Sequence, residues 1–470
     1  MKVYITTAIP YVNGDPHIGH AMDYCLADVA ARYYRQKGDE VKFQAGTDEH
    51  GGKISRKASE LGVEVKDFVD QNAGKFQDFI KKLNASSTDF IRTTDPEHVK
   101  RCQAIWQKLQ DHIYMAEYDG WYCTGCERFA TDKEYAENSG ICPDHQKPYE
   151  KLTEENYYLR IADFKDQIKS AIEKDEILIL PELRKKEILK LLEESPDVSI
   201  SRPRTQVNWG VPVPGDENQV MYVWIDALSN YITVLGYPEQ DISKWWPATV
   251  QVVGKDVLRF HAIIWPAMLL GLGLPLPKTI LCHGMVLSNG QKMSKSIGNV
   301  VDPIEVIEKH GIDAFRYFFL RHISTFVDSD FTWEKFEDAY NNELANDLGN
   351  LVQRLAVLAH KNNLKKVTWT LEKSTSEYQS LMDAYEFSKA FDFVWSKIVA
   401  INKKIDDEKP WELAKSGDTT KLESCLTDLI TDLLDANYLL APFLPDATAK
   451  ISEVFAGEIT PPKTPLFPKQ

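Results

Sequence analysis

The chain has 470 residues, 43% hydrophobic and 27% charged, and a formal net charge of −15. That length exceeds a single hydrophobic core and implies about two to four domains, and the composition excludes a disordered or fibrous protein. The acidity argues against nucleic acid held by bulk charge alone, because phosphate neutralisation drives that mode of binding.

Residues 3–8 form a β-rich run that ends in Pro10, Asn13, Gly14 and Pro16, and residues 18–34 follow with a helical period. The run from Met1 meets Thr6, Thr7 and Pro10 too early for a signal-peptide core. Residues 40–45 give a second strand, again followed by a glycine-bearing loop with Gly46, Gly51 and Gly52. Strand–loop–helix alternation predicts a parallel α/β sheet, with ligands at the carboxyl ends of its strands. His17, Gly19 and His20 stand where the first helix opens, in the order His-Ile-Gly-His. Two imidazoles three apart share a face of the first turn, where unpaired N–H groups and a partial positive charge suit phosphate. Gly19 leaves room for a base against the backbone. Alone, the tetrapeptide is also compatible with two unrelated histidines near a helix cap.

A further helix is expected over 98–113, after which residues 118–150 become aromatic, glycine-containing and cysteine-bearing. Cys123, Cys126, Cys142 and His145 read C-x2-C, fifteen residues, then C-x2-H. Two ligand pairs of this type fit a tetrahedral zinc, and four protein ligands close its coordination sphere, so one structural ion per chain is expected. An iron–sulfur centre is the other occupant for such thiolates, less natural with a histidine. The remaining cysteines, Cys25, Cys102, Cys282 and Cys425, read as buried thiols.

A strand over 220–224 marks the end of this insertion, and 249–253 and 279–282 are further strands. The most apolar stretch, 263–276, is broken by Pro266, Gly271, Gly273 and Pro275, so it reads as a buried helix and its exit turn. No membrane contact and a cytoplasmic location are expected. Asn289-Gly290 predicts a hairpin, and beyond it Lys-Met-Ser-Lys-Ser occupies 292–296. Lys292 and Lys295, with Ser294, can neutralise terminal phosphates as a phosphate bond breaks. Asp302, Pro303 and Glu305 start a helix that Gly311 stops. From about 333 onward the period is helical throughout, with Leu348, Leu351, Val352, Leu355 and Leu358 in one stripe. Basic residues gather at Arg354, His360, Lys361, Lys365 and Lys366 and again at Lys403, Lys404, Lys409 and Lys415. On charge alone these read as solvated helix faces.

The paired signatures at 17–20 and 292–296, in that order, resemble those of class I aminoacyl-tRNA synthetases. More narrowly, the chain resembles the methionyl-tRNA synthetases from end to end. The resemblance at the amino-acid pocket rests on Ala8-Ile9-Pro10-Tyr11, Asp48, Tyr222-Val223-Trp224-Ile225-Asp226-Ala227 with Tyr231, and Val257 with His261 and Trp265. It implies that Asp48 pairs with the substrate ammonium. Ile9, Tyr11, Trp224, Ala227, Leu228, Tyr231, Val257 and Trp265 would wall a thioether, which favours aromatic edges. His261 and Tyr231 would offer weak hydrogen bonds to sulfur. Gly254-Lys255-Asp256 resembles the segment that touches the ATP ribose, although Asp256 as a helix cap is an equal reading of the sequence. Asn350, Arg354 and Trp411 resemble the family's anticodon readers: a ring to stack an unpaired base, an amide and a guanidinium for its edges. Trp411 behind Pro410 is also a common helix-packing arrangement.

The implied activity is methionyl-tRNA synthesis: methionine and ATP give methionyl-adenylate and pyrophosphate, and methionine then passes to the terminal ribose of tRNA(Met), initially at the 2′-hydroxyl. His17, His20, Lys292 and Lys295 would be catalytic; ATP with Mg2+ and a structural Zn2+ are implied. The corresponding division is 1–113 and 222–280 for the two halves of a Rossmann-type catalytic domain, and 114–221 for an insertion with the zinc knuckle at 121–150. Residues 281–340 would carry the second signature and a stem-contact region, and 341–470 an α-helical anticodon domain. The dimer-forming domain that some relatives append is not seen after Pro461-Pro462, so a monomer is expected. Two alternatives stand: another class I carboxylate-adenylating synthetase, and a non-catalytic tRNA-binding paralogue, which would not need intact phosphate clamps.

Overall fold

The computed structural model describes residues 1–124, 128–143, 146–293, 299–364, 366–370 and 376–469, without the side chains of 118, 128 and 129. Six strands make the central sheet: β1 Lys2–Thr7, β2 Glu40–Thr47, β3 Asp89–Arg92, β4 Leu178–Leu180, β5 Val250–Gly254 and β6 Thr279–His283. Their order is β3-β2-β1-β5-β6-β4, and every pairing is parallel. Parallel strands are covered on both faces, and Val3, Tyr4, Ile5, Val250, Val252, Val253, Ile280 and Leu281 are all buried. The order reverses between β1 and β5, and both are followed by loops at the same edge, which is where a doubly wound sheet opens a ligand crevice.

The helices that position the site are α1 Ile18–Gln36, α2 Val65–Lys82, α3 Pro96–Lys108, α4 Val223–Thr233, α5 Pro303–His310 and α6 Ile312–Tyr317. The helical region adds α7 Asn350–Lys361, α8 Phe387–Glu408, α9 Pro410–Ser416, α10 Thr419–Leu440 and α11 Pro445–Phe455. Among the described residues from 333 onward there is no strand, and none of the helices is long and apolar enough to cross a membrane. Asp302 caps α5 by accepting from the Ile304 amide at 2.8 Å, and Gly311 ends it at φ 86°. The hairpin turns at Asn289 (φ 52°) and Gly290 (φ 72°), between strands Val286–Ser288 and Gln291–Lys292. Two successive positive φ values match the twist of the strands, the reason Asn-Gly is favoured there.

Three features differ from the sequence-based expectation. Strand β4 comes from inside the range 114–221 and completes the central sheet beside β6. Residues 220–224 are not one strand: Asp216–Met221 ends the strand, and Tyr222 becomes the extended N-cap of α4. A short run of apolar β-formers cannot be told from the start of a buried helix by periodicity, and α4 is buried along nearly its whole length. Finally, Ser329–Phe331 pairs parallel to Val286–Ser288 and fixes the hairpin, with Asp330 accepting from the Gly290 amide at 2.9 Å.

One buried ion pair joins the sheet to the helical region. Arg316 on α6 lies 2.8 Å from Asp28 on α1, and neither side chain is exposed. The same guanidinium donates to the carbonyls of Phe443 (2.7 Å), Pro442 (3.0 Å) and Leu83 (3.3 Å). Burial would push the Asp28 carboxyl up, but Arg316, Arg32 and the bonds from Ser86 outweigh it and hold it below its ordinary value. Its contribution to stability is therefore present above the ordinary carboxylate range and lost as pH falls through the lowered value. Arg316→Met should cost about 1.5–3 kcal/mol in denaturant unfolding, because a buried carboxylate loses one of its two guanidinium partners and keeps only Arg32, at 2.7 Å. Arg316→Met combined with Asp28→Asn should lose less than the sum of the two single changes, since the two side chains are in direct contact and their interaction is lost only once.

Candidate active site

A cleft of about 1190 Å³ opens at the carboxyl ends of β1, β2, β5 and β6. At its start, His17 is the N-cap of α1. Its Nδ1 accepts from the Gly19 amide at 3.1 Å, and His20 Nδ1 accepts from the His17 amide at 3.2 Å. The rings stack at 3.7 Å with 18° between their planes. Amide N–H groups can only donate, so both Nδ1 atoms are acceptors, and the proton of each neutral ring sits on Nε2. Burial, with the neighbouring His17, pushes the His20 imidazole well below its ordinary pKa, so it stays neutral. The backbone of the helix start thus turns two imidazoles into outward-directed donors. A Cβ on Gly19 would stand 3.0 Å from the His17 ring, so any larger residue there would have to displace that ring.

Beside them, Asp256 lies over Gly254, where an added Cβ would meet its carboxylate at 2.8 Å. Two residues not singled out from the sequence complete this corner. Asp23, on α1, accepts from His283 Nε2 at 3.0 Å, and His283 Nδ1 bonds the Gly284 carbonyl at 2.7 Å. Burial pulls the His283 imidazole down, but Asp23 and the Gly284 carbonyl outweigh it and raise its pKa. Asp23 itself is raised, because burial outweighs the attraction of His283. The signal available in the sequence was a carboxylate three residues after His20, about one turn further along the same helix.

The other end of the cleft is lined by Ile9, Tyr11, Asp48, Trp224, Ala227, Leu228, Tyr231, Val257 and His261. Trp265 is fully buried behind Tyr231, with ring centroids 5.7 Å apart, and does not line the cleft. His261 sits in a π-helical turn, Phe260–Ile264. Its Nδ1 lies 3.0 Å from the Val257 carbonyl and its Nε2 2.6 Å from the Tyr231 hydroxyl. Burial lowers its pKa to about 4, so the ring is neutral, Nδ1–H donates to Val257, and Tyr231 donates to Nε2. Tyr231 therefore presents oxygen lone pairs, not its proton, to the cavity.

Lys292 lines the cleft and is exposed; Ser294 and Lys295 lie outside the described residues. In the insertion, Cys123 and Cys142 are buried in one small cluster with Ala130 and Tyr149, while Cys126 and His145 lie outside the described residues. Far from the cleft, Arg354 on α7 sits over the Trp411 ring of α9 at 5.7 Å and pairs with Asp406 at 3.1 Å. Asn350 begins α7 one turn earlier and donates to Asn346 at 3.1 Å, so the three residues are brought to one side of the helical region. Trp411 is half-buried against the core there.

Gly19→Ala should shift the His17 ring from its stacked position and misdirect its Nε2–H. ATP affinity measured by calorimetry should fall about tenfold or more, the scale of one charge-assisted hydrogen bond, with the far-ultraviolet circular dichroism unchanged.

The family model described as tRNA synthetases class I (M) matches residues 3–152 and 144–356. A methionine–tRNA ligase of Thermotoga maritima is 38% identical over 486 aligned residues, covering 99% of this chain and 77% of its own length. Among solved structures, a Mycobacterium tuberculosis methionyl-tRNA synthetase in complex with methionyl-adenylate matches with a TM-score of 0.91 at 33% identity, over 99% of each chain. The apo form of the enzyme from that organism matches with a TM-score of 0.85 at 30% identity, over 100% of this chain and 98% of that one. With a helix start that carries two imidazoles and an apolar pocket opening into one cleft of a matching fold, this chain belongs to the methionyl-tRNA synthetases of class I and is an ATP-dependent methionine–tRNA ligase.

Proposed function

We propose that this cleft runs the first half-reaction with its two ends in fixed roles. The observation that carries this reading is that the imidazole pair and the apolar pocket line one continuous cavity. Methionine lies in the pocket with its ammonium on Asp48, and Ile9, Tyr11, Trp224, Ala227, Leu228, Val257 and Tyr231 enclose its side chain. ATP lies along α1, with His17 and His20 donating to phosphate through Nε2 and Asp256, beside Asp23, accepting from the ribose hydroxyls. The methionine carboxylate attacks the α-phosphorus, and pyrophosphate leaves. Lys292 and Lys295 offset the charge that builds on the leaving oxygens, and Mg2+, when bound with the triphosphate, would supply further positive charge there. In the second half-reaction a hydroxyl of the terminal tRNA ribose attacks the acyl carbon and AMP leaves. Binding of methionyl-adenylate by the similar Mycobacterium tuberculosis enzyme supports this arrangement. Methionine-dependent exchange between ATP and pyrophosphate tests it; exchange driven equally by a different amino acid would overturn the assignment of the pocket.

Asn350, Arg354 and Trp411 are read as the anticodon contact, supported by the guanidinium lying over the indole on an accessible side of the helical region. Removing the Trp411 ring should lose a stacking contact worth about 1–3 kcal/mol. In Trp411→Ala, aminoacylation should drop while ATP–pyrophosphate exchange stays near normal, because adenylate formation needs no tRNA. If exchange and melting temperature fall together, the tryptophan is only packing.

Zinc would be held by Cys123, Cys126, Cys142 and His145. The burial of Cys123 and Cys142 in one small cluster fits such a donor set. The turn in which the Gln146 amide bonds the Cys142 carbonyl at 2.8 Å fits it as well. The ion would stabilise the insertion, since closed zinc sites couple metal binding to local folding. Cys123→Ser should lower bound zinc from about one equivalent and raise proteolytic sensitivity within the insertion. Full activity in chelator with no zinc by elemental analysis would count against the site.

A further inference from the structure

Helix α4 has two working faces. Trp224, Ala227, Leu228 and Tyr231 line the cleft. The opposite face carries Asp226, Asn230 and Thr233, all buried and all polar. Asp226 accepts from His50 Nδ1 at 2.7 Å on one oxygen and from His98 Nε2 at 2.8 Å on the other. His98 Nδ1 lies 2.7 Å from the Thr233 hydroxyl, closing the link back to α4. Asn230 accepts from Gln44 on β2, which accepts in turn from the Tyr4 hydroxyl on β1 at 2.6 Å. The back of the helix is thus keyed by polar bonds to β1, β2, the loop after β2 and α3.

His98, Cys102 and Asp226 also bring ligand-type atoms within 4.8 Å of one another. Their direct spacings are 2.8 Å from His98 Nε2 to the carboxylate and 3.2 Å from Cys102 Sγ to the same nitrogen. Donor atoms around a tetrahedral ion with bonds of about 2.0–2.3 Å stand roughly 3.3–3.7 Å apart. Burial, then Asp226, holds the Cys102 thiol well above its ordinary pKa and so protonated. The cluster is complete as a hydrogen-bonded unit.

Its placement gives it a task. His50 is two residues beyond Asp48, and Asp226 is two residues beyond Trp224. We infer that Asp226 is a positioning residue for methionine selection: by holding His50 and His98 it sets the distance between Asp48 and the α4 wall, and so the side-chain length that the pocket accepts. The inference rests on Asp48 as the ammonium partner, as proposed above. A pocket that separates ligands differing by one methylene has only about 10–200-fold to work with, so a small slide of α4 would use it up. Apolar contacts tolerate such a slide, whereas two hydrogen bonds to a buried carboxylate are steep in distance and angle. Asp226 also titrates well below the ordinary carboxylate range: burial pushes it up, but His50 and His98 outweigh that. Both acceptor oxygens therefore persist at neutral pH.

The test is ATP–pyrophosphate exchange with methionine and with ethionine, one carbon longer. Asp226→Asn, which keeps the volume but only one acceptor oxygen, should raise the methionine KM about tenfold. It should also narrow the methionine-over-ethionine preference and leave the ATP KM within about twofold. His50→Ala should do the same, and His50→Asn, whose amide nitrogen can replace Nδ1 as donor, should restore both parameters. The His50 pair decides the matter if Asp226→Asn does not fold. Unchanged methionine KM and preference in a less stable variant would overturn the inference, as would equal rises in the KM for methionine and ATP. Asp48→Asn separates the two readings. If it leaves the methionine KM unchanged, the ammonium assignment fails; if it raises the KM while Asp226→Asn is silent, only the positioning role fails.

Discussion

Arg316 and Asp28 meet where no water reaches either charge, and the placement of the cleft against the helical region follows from that meeting. Helix α1 begins at the cleft with His17 and His20 and carries Asp28 in its middle. The guanidinium on that carboxylate also holds the carbonyls of Leu83, Pro442 and Phe443, so one side chain gathers α1, the end of α2 and the turn before α11. Buried ion pairs contribute little net stability, since desolvation offsets their attraction. Their worth is directional: this one has a single satisfied geometry, and shifting the helical region would break four contacts at once. The imidazoles at the far end of α1 inherit that rigidity.

The chain is strongly acidic, yet its cleft is not a uniformly negative hole. Lys53, Lys75, Lys82, Lys255 and Lys292 all line it. Three of them rest on carboxylates: Lys75 on Asp15 at 2.7 Å, Lys82 on Glu308 at 2.8 Å and Lys255 on Asp328 at 2.6 Å. These pairs are partly exposed and weak, so an anionic ligand would compete for the ammonium groups at modest cost. Net charge therefore says little about what the cleft attracts, and the arrangement of pairs within it says more.

What the sequence made legible is what depends on local chemistry. The helix start at 17–20, the Asp302 cap with its Gly311 stop, and the Asn289-Gly290 turn each follow from a few adjacent residues, and the structure has all three. The parallel sheet followed from strand–helix alternation. Strand β4 did not, because three residues inside a long insertion carry no period, and their pairing with β6 is set by a partner about a hundred residues away. The roles of Asp23 with His283, and of His50 and His98 with Asp226, were likewise hidden. Each is a polar residue on an apolar background whose meaning lies in a remote partner. Trp265 shows the converse: a residue grouped with the pocket by pattern stands one layer behind it, supporting Tyr231.

The two imidazoles at the start of α1 cap the helix through Nδ1 and face the cleft through Nε2. A proton added to either Nδ1 would meet an amide N–H head-on, and at His20 burial beside His17 also holds the imidazole well below its ordinary pKa. In the proposed arrangement neutral rings would orient phosphate without adding charge to it, and the charge would come from lysines. Ionic strength will act unequally on the two. Salt screens an ammonium over distances of about 8–10 Å and acts far less on short, neutral N–H donors. Raising the salt concentration would thus erode the stabilisation of departing pyrophosphate before it loosens the grip on the nucleotide, separating turnover from binding in a single titration.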